Sequence, residues 1–191
     1  MNIFVLHENP NTAAEMHCDK HVPKMCVEAA QMMASALRRW GATDEEMPLT
    51  KKGTPYKGGY AHHPCTVWAG DTWGNLNWLA THAIALCFEY KARFGKEHAC
   101  QKPIIHMNLM INSSRFFDWE HSVVRRTPFA LAMPDEYRPK HPLIETRYIV
   151  THAAGDTAVQ AYRRYYHSKQ FAKWEKGTPA PDWWRGVEVT A

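Results

Sequence analysis

Apolar positions recur with helical period over three stretches of the chain. Between residues 74 and 94, Leu76, Leu79, Ala83, Leu86 and Tyr90 follow one another at threes and fours, and Gly95 supplies a stop. Residues 12–40 carry a second such pattern. Thr12 with Glu15 has the spacing of a capping box, and Trp40-Gly41 closes the segment. Pro23 lies inside it, so the helix either kinks there or restarts. A third helical region is expected over 144–173, interrupted at Gly155 if at all.

The remaining segments read differently. IFVL at 3–6 is a short apolar run, suited to a strand or an extended arm. Residues 41–72 are rich in Gly, Pro and Lys and hold Tyr and His. They are expected to form a functional loop rather than a linker. The pattern assigns no type to 103–111. Residues 130–133 suit one helical turn before Pro134, and the PAPDWW segment suits a tail with Trp183 and Trp184 docked on the body. No alternation is strong enough to build a sheet. The expectation is a mostly α protein: a single compact helical domain over 1–191, with long irregular loops and a short N-terminal extended segment.

The first helical pattern carries a polar line. His17, His21, Lys24, Glu28, Gln31 and Ser35 are spaced four, three, four, three and four, so a helix sets them on one face. Val22, Met25, Ala29, Met32 and Ala36 flank them. Such a line can be a solvated face. Its choice of residues also suits a site, with Glu28, Lys24, His21 and His17 as candidate catalytic groups. Glu28 would move protons, His21 and Lys24 would orient or stabilise charge, and a desolvated Lys24 amine would be a nucleophile. His17 and His21 could instead ligate a metal with His62 or His63, although the HExxH pattern is missing. No cofactor is favoured, and a divalent metal is the alternative.

Candidate substrate contacts lie elsewhere. The loop YKGGYAHHPCTVW offers Lys57, Tyr60, His63 and Trp68 around Gly58-Gly59, without the pattern of a P-loop. Arg93 and Lys96 end the middle helix and suit a phosphate, or merely the helix dipole. Asn108 and Arg115 flank an amide- and hydroxyl-bearing run that suits a base or phosphate. In AYRRYYHSK, Arg163 and its neighbours alternate with tyrosines, as nucleic-acid surfaces do and as packed helices also do.

Composition sharpens this only slightly. The formal charge is +4, which permits an anionic partner without requiring one. Twelve histidines and eight tryptophans suit a site that stacks a flat ligand. Five cysteines without a CxxC pair suggest reduced thiols, Cys18, Cys26 and Cys87 among them as small buried hydrophobes. With no apolar run of bilayer length and no signal-like start, a cytoplasmic protein is expected. The expected partner is DNA or a nucleotide, and a homodimer is allowed.

The segment GTPYKGGYAHHPCTVWAG, with LNWLATHAIALCFEYKARFGKEH after it, resembles the pyrimidine-dimer DNA glycosylase family over about residues 53–98. The HCDKH helix, the HHP loop and AYRRYY are also similar to a small protein type of phages, which would place the chain in a host cytoplasm. The glycosylase resemblance implies a compact, mostly helical DNA-binding protein that excises bases through an N-terminal amine, assisted by a glutamate on the first long helix. Glu28 would be that glutamate. Asn2 is bulkier than the family's usual second residue, so imine chemistry would fall to Lys24 or to the α-amine of Met1. Three readings stand at this point: a glycosylase-like or base-modifying enzyme, a metal-dependent enzyme, and a non-catalytic DNA-binding or host-interaction protein.

Overall fold

A computed structural model describes residues 1–117, 123–139 and 157–187. Within these the protein is mostly helical and contains no strand, only an isolated bridge between Leu49 and Pro55. The helices are α1 (Pro10–Glu15), α2 (His21–Arg39), α3 (Pro64–Asp71), α4 (Trp73–Phe94), α5 (Gln101–Ile111) and α6 (Ala158–His167), with a 3₁₀ turn at Asp135–Tyr137. No helix among the described residues is long and apolar enough to cross a membrane.

α4 is the central element and packs against α1, α2, α3 and α5. Its bounds follow from local chemistry. The Thr72 hydroxyl accepts the Asn75 amide at its start, and Gly95 takes the left-handed conformation at its end (φ +68°). The helix expected over 12–40 is two helices. Asn9 caps α1 through the amides of Asn11 and Thr12, and the chain turns at residues 16–20 before α2 begins. Pro23 is the third residue of α2, where a missing N–H removes no intrahelical bond, so it neither kinks nor breaks the helix.

The expected loop over 41–72 ends at His63. There the His63 ring accepts the Cys65 amide, Pro64 takes the first helical position, and α3 follows. Residues 103–111 fall in α5, while 130–133 are irregular rather than a helical turn. Of the helix expected over 144–173, only α6 falls within the described residues before 168, started by a full capping box of Thr157 and Gln160. Residues 140–156 lie outside them.

Residues 3–6 form neither helix nor strand and are buried, with Ile3, Val5 and Leu6 fully inaccessible and Phe4 at a positive φ of +35°. This arm fills the core without pairing in a sheet. Phe4 stacks on His21 at 4.7 Å and on Tyr165 at 5.7 Å. Beyond α6, Trp183 and Trp184 dock on Tyr166 and His167, as the PAPDWW reading expects.

Candidate active site

The buried arm brings the N-terminus to the middle of α2. Asn2 fixes its course. Its Oδ1 accepts the amides of Ile3 and Phe4, and its Nδ2 donates to the Ala132 carbonyl at 2.7 Å. The segment around Ala132 is held in turn by the Tyr162 hydroxyl, which donates to Ala130 O and accepts from Ala132 N. With the arm so pinned, the Asn2 amide donates to Glu28 Oε2 at 2.7 Å, and the Met1 nitrogen lies 3.8 Å from the same oxygen. Glu28 Oε1 lies 3.6 Å from Lys24 Nζ, one turn back. One carboxylate, 12% exposed, therefore faces two primary amines. The Met1 side chain is buried, whereas Lys24 is 58% exposed.

The loop before α3 forms the next wall. The Ser35 hydroxyl donates to Gly59 O at 3.1 Å and lies 2.9 Å from the Gly59 nitrogen. Gly58 makes this approach possible. Its φ is +78°, and a Cβ there would stand 2.2 Å from Ser35 Oγ and 2.7 Å from the Ser35 nitrogen. A Cβ at Gly59 would touch Gln31. Arg38 holds the loop upstream through the Tyr56 carbonyl. His63 closes the group. Its imidazole is driven below its ordinary pKa mainly by burial and then by the nearby N-terminal charge, with Glu28 opposing. As Nδ1 accepts the Cys65 amide, the neutral ring carries its proton on Nε2. The lower half of the polar line (Lys24, Glu28, Gln31 and Ser35) thus meets the N-terminus and the glycine loop in one place.

The upper half goes elsewhere. His17 and His21 are buried, and both are driven well below the ordinary histidine pKa, chiefly by burial. His17 Nδ1 donates to Ala13 O, so its Nε2 is a bare lone pair without a hydrogen-bond partner among the described residues. His82 repeats the arrangement on Pro10 O, with the two rings 5.3 Å apart. His21 Nδ1 pairs with the Tyr166 hydroxyl at 2.7 Å. The ligand set of His17, His21 and His62 does not assemble, because the first two lie in the core and His62 is exposed. Among the described residues, no group of three or more His, Cys, Asp or Glu is placed to hold a metal ion.

Several expected substrate contacts have structural partners instead. Arg93 is a clamp with a fully buried side chain. It pairs with Asp19 at 3.1 Å and Glu89 at 2.8 Å, and it donates to the carbonyls of Glu15, which ends α1, and of His17 just beyond it. Its guanidinium has no face left for phosphate. Arg163 donates to Leu6 O and stacks over Trp183. Arg115 ties Glu46 to Gly41 O. Trp68 is buried among Trp78 and Phe129. Asn108 lines a groove of α1, α4 and α5 together with Asn11, Asn77 and Asn112. Lys57, Tyr60 and Lys96 are exposed. Sequence reasoning missed Asn2, Ala132 and Tyr162 as positioning residues. A polar residue beside a wholly apolar run was the one available sign of Asn2.

With this geometry in place, comparison with known proteins adds one match. A family model described as pyrimidine dimer DNA glycosylase matches residues 1–102, which include the N-terminal arm, all of α2, the glycine loop and His63. No curated protein and no solved structure matches the chain.

Proposed function

The chain belongs to the pyrimidine dimer DNA glycosylase family, and on that premise we propose that it excises damaged pyrimidines from DNA through an imine formed by its N-terminal amine. The observation that supports this reading is the 3.8 Å approach of the Met1 nitrogen to Glu28 Oε2. The neutral α-amine attacks C1′ of the damaged nucleotide, and the glycosidic electron pair leaves with the base. The amine then loses its proton and, as the sugar ring opens, becomes an imine. Glu28 takes that proton and returns it to the sugar oxygen in this reading. An α-amine is the least basic primary amine of a protein, so more of it is neutral near pH 7 than of a lysine amine.

Two features support the amine of the arm over Lys24. It lies against a buried side chain beside a carboxylate, while Lys24 is mostly in solvent. The Asn2 nitrogen also points at Glu28, at 2.7 Å. If Met1 were removed, the new α-amine would face the same oxygen. Lys24 then serves to attract phosphate.

The test is borohydride trapping on ultraviolet-irradiated duplex DNA, with undamaged duplex beside it. The expected result is a covalent adduct with irradiated DNA alone, mapped by peptide mass to the N-terminal residue. An adduct on Lys24 would move the nucleophile. Absence of both adduct and strand cleavage would remove dimer excision as the activity.

A further inference from the structure

Tyr60 combines three properties. Its ring is 68% exposed. Its backbone is left-handed, at φ +55°, in a region that residues with a Cβ seldom enter. And the loop that carries it is fastened on both sides. Upstream, Arg38 holds the Tyr56 carbonyl and Ser35 holds Gly59. Downstream, the Tyr60 carbonyl accepts the His63 amide, and His63 caps α3. The ring therefore stands on a rigid support, between the residue docked on Gln31 and Ser35 and the histidine that senses Glu28 and the N-terminal charge. An exposed aromatic held in a strained conformation gains nothing for the core. It is what a side chain needs in order to push between stacked bases, because a loose loop would yield first.

We propose that Tyr60 is the wedge of this protein: its ring enters the base stack of duplex DNA and occupies the space left when a nucleotide is turned out of the helix. This rests on the reading of the site as a DNA glycosylase centre. The exposed Lys57 and Lys24 would hold the phosphates on either side. A flat ring can replace a base in the stack whatever its sequence, so the wedge adds affinity for an opened duplex without reading bases.

The experiment uses the full chain and two substrates: a pyrimidine dimer in a fully paired duplex, and the same dimer inside a bubble of unpaired bases. Tyr60→Ala should slow excision from the paired duplex about tenfold or more. It should act on the bubble within about twofold of the parent, since opening is already done. Tyr60→Phe and Tyr60→Trp should restore the paired substrate. Equal loss on both substrates would make Tyr60 a loop-positioning residue and overturn the proposal, as would no loss on either. A 2-aminopurine base beside the dimer gives a second readout. Its fluorescence should rise with the parent protein and not with Tyr60→Ala. If the parent protein excises nothing yet still raises that signal, the glycosylase reading fails and the wedge stands. If it excises and Tyr60→Ala raises the signal equally, the wedge fails alone.

Discussion

Glu28 and Met1, twenty-seven positions apart in the sequence, meet in the fold: the carboxylate on the middle of α2 lies 3.8 Å from the terminal nitrogen of a buried arm. Glu28→Gln keeps an oxygen for the Asn2 amide and removes the proton acceptor. The expected outcome is a fold of unchanged stability and a fall of about 10²–10⁴ in the single-turnover rate of imine formation on dimer-containing DNA. Urea denaturation alongside the rate measurement separates the two effects. A variant as fast as the parent would remove Glu28 from the chemistry.

Arg93 holds Asp19, Glu89 and two carbonyls of the α1–α2 turn. Arg93→Ala removes the counter-charge of two largely buried carboxylates and the donors to two carbonyls, and should cost about 3–5 kcal/mol. Lysine cannot reach all four and should not rescue. Because no donor is free for phosphate, a variant that still folds should bind DNA with an unchanged dependence on salt. A shallower salt slope would return Arg93 to the DNA surface.

Gly58 sits where a methyl group meets the Ser35 hydroxyl and backbone. Gly58→Ala should lift the glycine loop from α2, lower stability by about 1–2 kcal/mol, and reduce activity together with both Ser35 contacts. Gly53→Ala is the control. It has the same sign of φ with nothing within 4 Å, so it carries backbone strain alone. Equal effects at the two positions would show that the close approach to Ser35 does not matter.

His82 is buried and takes its proton only at about pH 4, against 6.5 in the unfolded chain, and His21 is pushed down to about 3. Between those values the unfolded state binds more protons. Stability is therefore level above about pH 6.5 and falls as pH drops below it, with His82 contributing about 3 kcal/mol by pH 4. His82→Gln keeps a donor for the Pro10 carbonyl and does not titrate. Urea midpoints at pH 7.5 and 5 should differ less in this variant than in the parent. An equal difference would mean that His82 does not titrate on unfolding.

Much of the helical frame could be read from local signals. Gly95 and the threes and fours before it trace α4, because periodicity and a glycine stop are properties of neighbouring residues. The polar line set Lys24, Glu28, Gln31 and Ser35 on one face of α2 for the same reason. Its upper end leaves that face, since His17 precedes α2 and the Phe4 ring stacks on His21. Arg93 looked like a phosphate ligand because nothing nearby in sequence shows that Asp19 comes to meet it. Asn2, Ala132 and Tyr162 join across more than a hundred residues, a relation that periodicity does not encode.

The arm that carries the candidate amine is held by late parts of the chain. Asn2 is tied to Ala132, Leu6 to Arg163, and Asp19 to Lys173. During synthesis the first residues to leave the ribosome thus wait for nearly the last before they can settle. The contacts that pin the candidate amine beside Glu28 therefore depend on residues that arrive late. A product that ended just before Ala132 would hold every residue of the matched segment and lack the carbonyl that pins Asn2.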